Sequence, residues 1–244
     1  MISEWLKVLF GKDYAVKGMV PEDVNANYFK QQSRSLKLLG VKSVHLRDVI
    51  KHIKNNERYL QYLSYLNNIQ KRELYKSDIH GLSHNERVSI FAFYLADKLW
   101  LKDKDLNLIM LAAFYHDIGR SHDYFDEYHG TVSADKLDGL GLDLTQEDIQ
   151  ILKTIITAHS YDDSRFKSIL DNSGVKDVKR CEKLFQILKD CDALDRVRLI
   201  NPVVMPNYLR HEESKELILA AYQLMVNYRH ITSNLQETET REKK

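Results

Sequence analysis

Apolar positions along this chain recur at intervals of three and four residues, a period that predicts helices almost throughout. Leu46, Val49, Ile50 and Ile53 form one stripe. Leu60, Leu63, Leu66 and Ile69 form the next, with Tyr59, Tyr62 and Tyr65 interleaved. An aromatic stripe at that spacing predicts core or subunit contact before it predicts a ligand box. Ser3 is a candidate cap for a short helix through Phe10, and a second helix over 27–39 ends at Gly40, a residue that helices favour just past their C-terminus. From His84 to Trp100 the pattern is apolar nearly all round, through Val88, Ile90, Phe91, Phe93, Leu95 and Leu99, which predicts a buried helix. A charged turn at Lys102–Lys104 precedes a second apolar helix, from about Asp105 to Asp117, that stops near Gly119. The stretch 119–129 is a loop rich in Asp, His and Tyr, and a helix begins at Thr131. Thr145 with Asp148 three residues on resembles a capping box, opening a helix through His159. A polar insertion, 161–179, leads to a helix over 180–194 with Leu184, Ile187, Leu188 and Cys191 on one face. A last helix runs from about Glu212 to Tyr228, and the polar, charged tail from Thr232 predicts disorder.

Composition narrows the class. With 9 Gly and 3 Pro in 244 residues, breakers are scarce, so the expectation is an all-α fold. The chain divides into a helical region over 1–75 without evident chemistry, a core over 76–200, a C-terminal helix packed on it over 201–231, and the tail 232–244. Cys181 and Cys191 have no zinc-type spacing and suit a reducing compartment. The stretch from Met1 to Phe10 is too short and too polar for a secretory signal, and no apolar run approaches the roughly 20 residues that span a bilayer. A cytoplasmic location with no membrane partner is the expectation. A net charge of +1 provides no basic field, which argues against nucleic acid as the main partner.

Candidate chemistry centres on His116-Asp117. Neighbouring residues in mid-helix point about 100° apart and do not normally grip one ion. At the last turn of a helix the geometry relaxes, and exposed carbonyls favour a cation. Phe114-Tyr115-His116-Asp117-Ile118-Gly119 suits that placement, with Gly119 letting the chain turn away. Six of the ten histidines lie between 80 and 159, a clustering that packing explains poorly, since a buried imidazole needs polar partners.

Residues from about 80 to 196 resemble the HD-domain metal-dependent phosphohydrolases. That family has a histidine opening one core helix, a His-Asp pair ending the next, and an aspartate late in the domain. His84, in His84-Asn85-Glu86-Arg87-Val88, matches the first position, and His116-Asp117 the doublet. Asp192, in Asp190-Cys191-Asp192-Ala193-Leu194-Asp195, matches the last. The resemblance implies an HD helical core with additional N-terminal and C-terminal helices. It implies His84, His116, Asp117 and Asp192 as ligands of one or two divalent ions (Mn, Fe, Co, Ni, Zn or Mg). The run from His116 to Arg120, then Asp123, Asp126 and His129-Gly130, is similar to a branch with extra polar residues, as is Ile156-Thr157-Ala158-His159-Ser160. His129 and His159 then contact substrate phosphate, hold a second metal or serve the structure alone.

The implied activity is hydrolysis of a phosphate ester or anhydride of a small molecule, a nucleotide before others. Positive groups must offset charge on the phosphoryl oxygens, and Arg120 leads the candidates, with Lys189 and Arg196 behind it; Arg87 either joins them or reaches an acidic partner inside the domain. His80 is a loop histidine or a substrate contact. Asp195 contacts substrate or orients a ligand from behind, and Glu86 and Asp126 are candidate proton acceptors. Two rivals stand beside this: a nucleotide-binding sensor reporting through residues 1–75, and an RNA or DNA phosphodiesterase using Lys176, Lys179, Arg180 and Lys183. A homo-oligomer is left open. No Gly-Tyr-Pro signature follows the doublet, which counts against cyclic dinucleotides.

Overall fold

The computed structural model describes residues 2–11, 26–199 and 204–242, and among them every regular element is helical. In chain order these are α1 (Glu4–Leu9), α2 (Ala26–Leu38), α3 (Leu46–Asn55), α4 (Tyr59–Asn68), α5 (Leu82–Lys98), α6 (Asp103–Tyr115), α7 (His129–Lys136), α8 (Gln146–His159), α9 (Phe166–Asp171), α10 (Val178–Leu194), α11 (Glu212–Glu216) and α12 (Ile218–Glu242). Short 3₁₀ turns connect several of them. The fold is all-α, and no helix among the described residues is long and apolar enough to cross a membrane.

The all-round apolar pattern of α5 has its expected consequence. Every residue from His84 to Ala96 is buried, with α6 along one flank, α10 along another and α3 against a third. α8 closes the bundle against α6, α7 and α10. The first 75 residues share this core: Trp5, Leu6, Val49, Ile53 and Tyr62 belong to the same buried cluster as Phe91 and Ile109. The C-terminal helix lies over the seam, and its Gln223 Oε1 accepts the backbone N–H of Leu46, the first residue of α3, at 2.8 Å.

Several expectations are corrected. Ser3 precedes α1 but does not cap it; its hydroxyl donates to Glu86 Oε2 at 2.8 Å, and Trp5 Nε1 donates to the same oxygen at 2.8 Å. Glu86 is therefore a buried anchor for the N-terminal helix and no proton acceptor for substrate. The insertion 161–179 contains α9, whose Phe166 stacks on Phe185 with centroids 4.1 Å apart. The helix expected over 212–228 breaks at Leu217, and its second part continues through Glu242. The polar tail is thus helical as far as it is described, because no Gly or Pro follows Pro206 and Gln, Glu and Arg propagate a helix already anchored at its apolar end. Thr145 does cap α8, accepting from the Asp148 N–H.

Candidate metal centre

Helix ends build the site. His84 lies in the first turn of α5, His116 caps α6, His129 opens α7, His159 closes α8, and Asp192 lies in the last turn of α10, with Asp195 just beyond it. Three of these ends are C-termini, whose unsatisfied carbonyls favour positive charge between them.

Two glycines allow the approach. Gly119 has no positive φ, so its role is closeness and not the turn expected of it. A Cβ there would stand 2.3 Å from Ser133 N and 2.4 Å from His129 O, and its N–H donates to Ser133 Oγ at 2.8 Å. A Cβ on Gly130 would stand 2.6 Å from both Ile156 O and Ser160 Oγ, so only glycine lets α7 lie on the end of α8 and bring His129 to His159. Gly130→Ala is expected to destabilise the fold by about 2 kcal/mol and to lower metal retention, read by thermal unfolding and elemental analysis.

The imidazoles are oriented from behind. His84 Nδ1 donates to Asp195 Oδ2 at 2.7 Å, His116 Nδ1 to the carbonyls of Ala112 and Ala113 at 3.2 and 3.1 Å, and His159 Nδ1 to Ile156 O at 2.6 Å. His129 Nδ1 donates to Asp126 O. Carboxylate and carbonyl oxygens only accept, so Nδ1 carries the proton in each ring and the neutral Nε2 offers a lone pair. Yet His84 Nε2 and His116 Nε2 face each other at 3.0 Å, and so do His129 Nε2 and His159 Nε2. Neutral lone pairs cannot bond to one another. Two nitrogens about 2.1 Å from a shared ion at near-right angles would stand about 3 Å apart, so these pairs fit a cation.

Asp117 lies between the two pairs. Its Oδ2 is 3.6 Å from Nε2 of both His84 and His116, and its Oδ1 is 3.0 Å from His129 Nε2 and 3.6 Å from His159 Nε2. His84, His116 and Asp117 form one potential ligand group, and Asp117, His129 and His159 form a second. Asp192 Oδ1 adds to the first, 3.4 Å from His84 Nε2. Burial pushes His84 down to about 3 and His159 down to about 4, which keeps both neutral at physiological pH.

The remaining candidates separate by position. Asp195 is buried and takes a bidentate ion pair from Arg87, at 2.7 Å to Nε and 2.9 Å to Nη2, while accepting from His84. Both are 1% exposed, so substrate reaches neither, and their assignment to substrate binding is corrected: together they fix the His84 ring. His80 precedes α5 and gives its Nδ1 to Asp123 at 2.9 Å; it is not among the residues lining the cleft described next, so a role in substrate contact has no support there.

A cleft of about 760 Å³ opens over His129, His159 and Asp192. Arg120 lines it, with Nε 2.9 Å from Asp117 Oδ1, and so does Lys189, whose Nζ donates to the carbonyls of His159 and Tyr161 at 3.1 and 2.8 Å. Asp126 lines it as well. Arg196, ranked behind Arg120 from the sequence, is exposed on the same wall, and its side chain makes no hydrogen bond or ion pair among the described residues. Phe125, Met205, Tyr208 and Arg210 also line the cleft and escaped the sequence analysis, since loop aromatics have no periodicity to mark them. The basic run 176–183 lies elsewhere. Arg180 is paired with Asp105 and Asp148, and Lys183 donates to Leu99 O, so two of the four basic residues are already engaged.

The helical bundle gathers four imidazoles and two carboxylates at its helix ends, beneath an open cleft, in an arrangement that could hold metal ions. The HD domain family model matches residues 81–197, and that segment is similar to the HD domain of metal-dependent phosphohydrolases. No curated protein and no solved structure matches it.

Proposed function

We propose that this protein hydrolyses a phosphate ester or anhydride of a small molecule, a nucleotide before others, with two divalent cations at the imidazole–carboxylate centre. The observation that carries this is the set of four imidazoles, each locked through Nδ1, that turn Nε2 lone pairs toward the two oxygens of Asp117. His84, His116, Asp192 and Asp117 Oδ2 would hold one cation; Asp117 Oδ1, His129 and His159 would hold the other. Such ions supply Lewis acidity and bring water within reach of ionisation near neutral pH. The chain's own groups do the rest. Arg120, already against Asp117, offsets charge on the phosphoryl oxygens from the cleft wall. Lys189 fixes the end of α8 and with it the His159 ring. Asp126 faces the cleft as an acceptor for the proton that water loses. The water oxygen forms the new P–O bond, the ester P–O bond breaks, and the departing oxygen takes a proton. An intact set of inward lone pairs favours this over a sensor, which needs no such centre to recognise a nucleotide.

The test is elemental analysis of the purified chain with a screen of nucleotides and simple phosphate esters. The expected result is between one and two transition-metal ions per chain, and phosphate release that a chelator abolishes and Mn²⁺ restores. A metal-replete protein that turns over none of these compounds would overturn the assignment in favour of a sensor.

A further inference from the structure

Aromatic rings are seldom left in water, and on this molecule the exposed ones gather at one place. Among the described residues the exposed aromatic side chains are Trp100, Tyr124, Phe125, Tyr128 and Tyr208. All except Trp100 belong to the two segments that flank the cleft, and Phe125 (90% exposed) and Tyr208 (69%) line it directly.

Both rings sit on backbone that the site holds in place. On one side of Phe125, Arg120 Nη1 donates to Tyr124 O at 3.3 Å; on the other, His129 Nδ1 donates to Asp126 O. The residues that touch Asp117 therefore also fix the loop that presents Phe125. Tyr208 lies in a 3₁₀ turn just before Arg210, whose N–H and that of His211 both donate to Asp190 at 3.0 Å. Asp190 is fully buried and further held by the Arg210 and His211 side chains at 3.0 Å. A ring that is exposed on a pinned segment gives up little freedom when something stacks on it.

The charges in the cleft limit what can accompany such a ring. Lys189 and Arg210 are spent on carbonyls and on Asp163 and Asp190, and Arg120, held against Asp117, serves the phosphoryl group at the metal centre. Among the described residues, the Arg196 side chain on that wall makes no hydrogen bond or ion pair. One phosphoryl group at the metal centre, with Arg196 beside it, is supported; a chain of three phosphates would need cations that are already engaged.

We propose that Phe125 and Tyr208 are specificity-determining residues that stack the base of a nucleotide, and that the substrate is a nucleoside monophosphate. This rests on the phosphohydrolase assignment above. Base–aromatic stacking tolerates any base, so the rings select for a nucleoside over a non-aromatic ester and not for one sequence letter.

The experiment compares adenosine monophosphate, adenosine triphosphate and glycerol phosphate on the Mn²⁺-loaded full chain and on Phe125→Ala and Tyr208→Ala. Binding of adenosine monophosphate is measured separately by calorimetry. The expected result is that each variant raises KM for adenosine monophosphate about tenfold with kcat little changed. The ratio of kcat/KM for adenosine monophosphate over glycerol phosphate falls by about the same factor, and Phe125→Trp restores it. The triphosphate is the poorer nucleotide for the unaltered chain. Equal losses on both esters, or a preference for the triphosphate, would overturn the proposal. If the unaltered chain binds adenosine monophosphate but hydrolyses nothing, the phosphohydrolase assignment fails on its own. The stacking role is then decided by calorimetry: about tenfold weaker binding in the alanine variants supports it, and unchanged binding overturns it.

Discussion

Asp117→Asn is expected to lower phosphate release by about a thousandfold and to reduce bound metal below one ion per chain, while the helical circular dichroism signal is kept. The size of the effect follows from geometry. Asp117 presents one oxygen to the His84–His116 pair and the other to the His129–His159 pair, so it is the group common to both ligand sets. An amide is nearly the same shape, so packing in a position only 2% exposed survives. It carries no charge, however, and replaces one oxygen with an NH₂ group that has no lone pair to give. Arg120 loses its carboxylate partner at the same time. His116→Ala acts on one set alone and should remove one ion while leaving part of the other. Metal content measured on the two variants side by side distinguishes a shared carboxylate from an ordinary ligand. Full turnover by Asp117→Asn would remove the centre from the mechanism.

How much of this was legible in the sequence depends on the kind of signal. The buried α5 and α6 were plain, because an apolar pattern all round a helix leaves few places for it but a core. The candidate ligand positions stand out because chemistry demands particular residue types, and imidazoles and carboxylates are costly to bury without purpose. Their pairing was not legible. That His129 faces His159 depends on Gly130, whose missing side chain matters only once α7 and α8 are known to touch. Whether Arg87 and Asp195 meet substrate or a buried partner was open for a related reason: a charged residue one turn from a ligand faces the cleft or the core according to which neighbouring helix covers it, and sequence spacing carries neither fact. Ser3 had the composition of a cap, but a buried carboxylate from another helix made the stronger claim on its hydroxyl. The helical tail is not legible from polarity alone, because it continues an apolar helix that needs no break.

Arg87→Met should be the most destabilising of the substitutions considered, because it leaves a buried carboxylate with only the more distant Arg198, 3.7 Å away, as counter-charge. Removing one partner of a buried ion pair costs about 3–5 kcal/mol, or a fall of about 10 °C in Tm for a chain of this size. Arg87 has a further tie, its guanidinium lying 4.7 Å from the centre of the Tyr228 ring, so the C-terminal helix loosens with it. The pH dependence identifies the cause. Burial alone would raise the Asp195 carboxyl, but Arg87 and the hydrogen bond from His84 bring it down to about 2. An acid with a lowered folded-state pKa stabilises the fold fully above its unfolded value near 3.9 and loses that contribution as the pH falls toward 2. Without Arg87 the same carboxyl takes up its proton at higher pH. The Tm deficit of Arg87→Met, measured on chelator-treated protein, should therefore be greatest near neutrality and shrink as the pH falls below about 5. His84 loses stability on acidification in both proteins, since its folded-state pKa of about 3 lies below the unfolded value, so it cancels in the comparison to first order. Adding Asp195→Asn to Arg87→Met removes the stranded charge and should recover part of the loss, a coupling that two independent sites would not show. Metal affinity should still fall by about ten- to a hundredfold in the double variant, because an asparagine supports the His84 ring less firmly than a carboxylate. If affinity is unchanged there, Asp195 serves packing alone and His84 is oriented by something else.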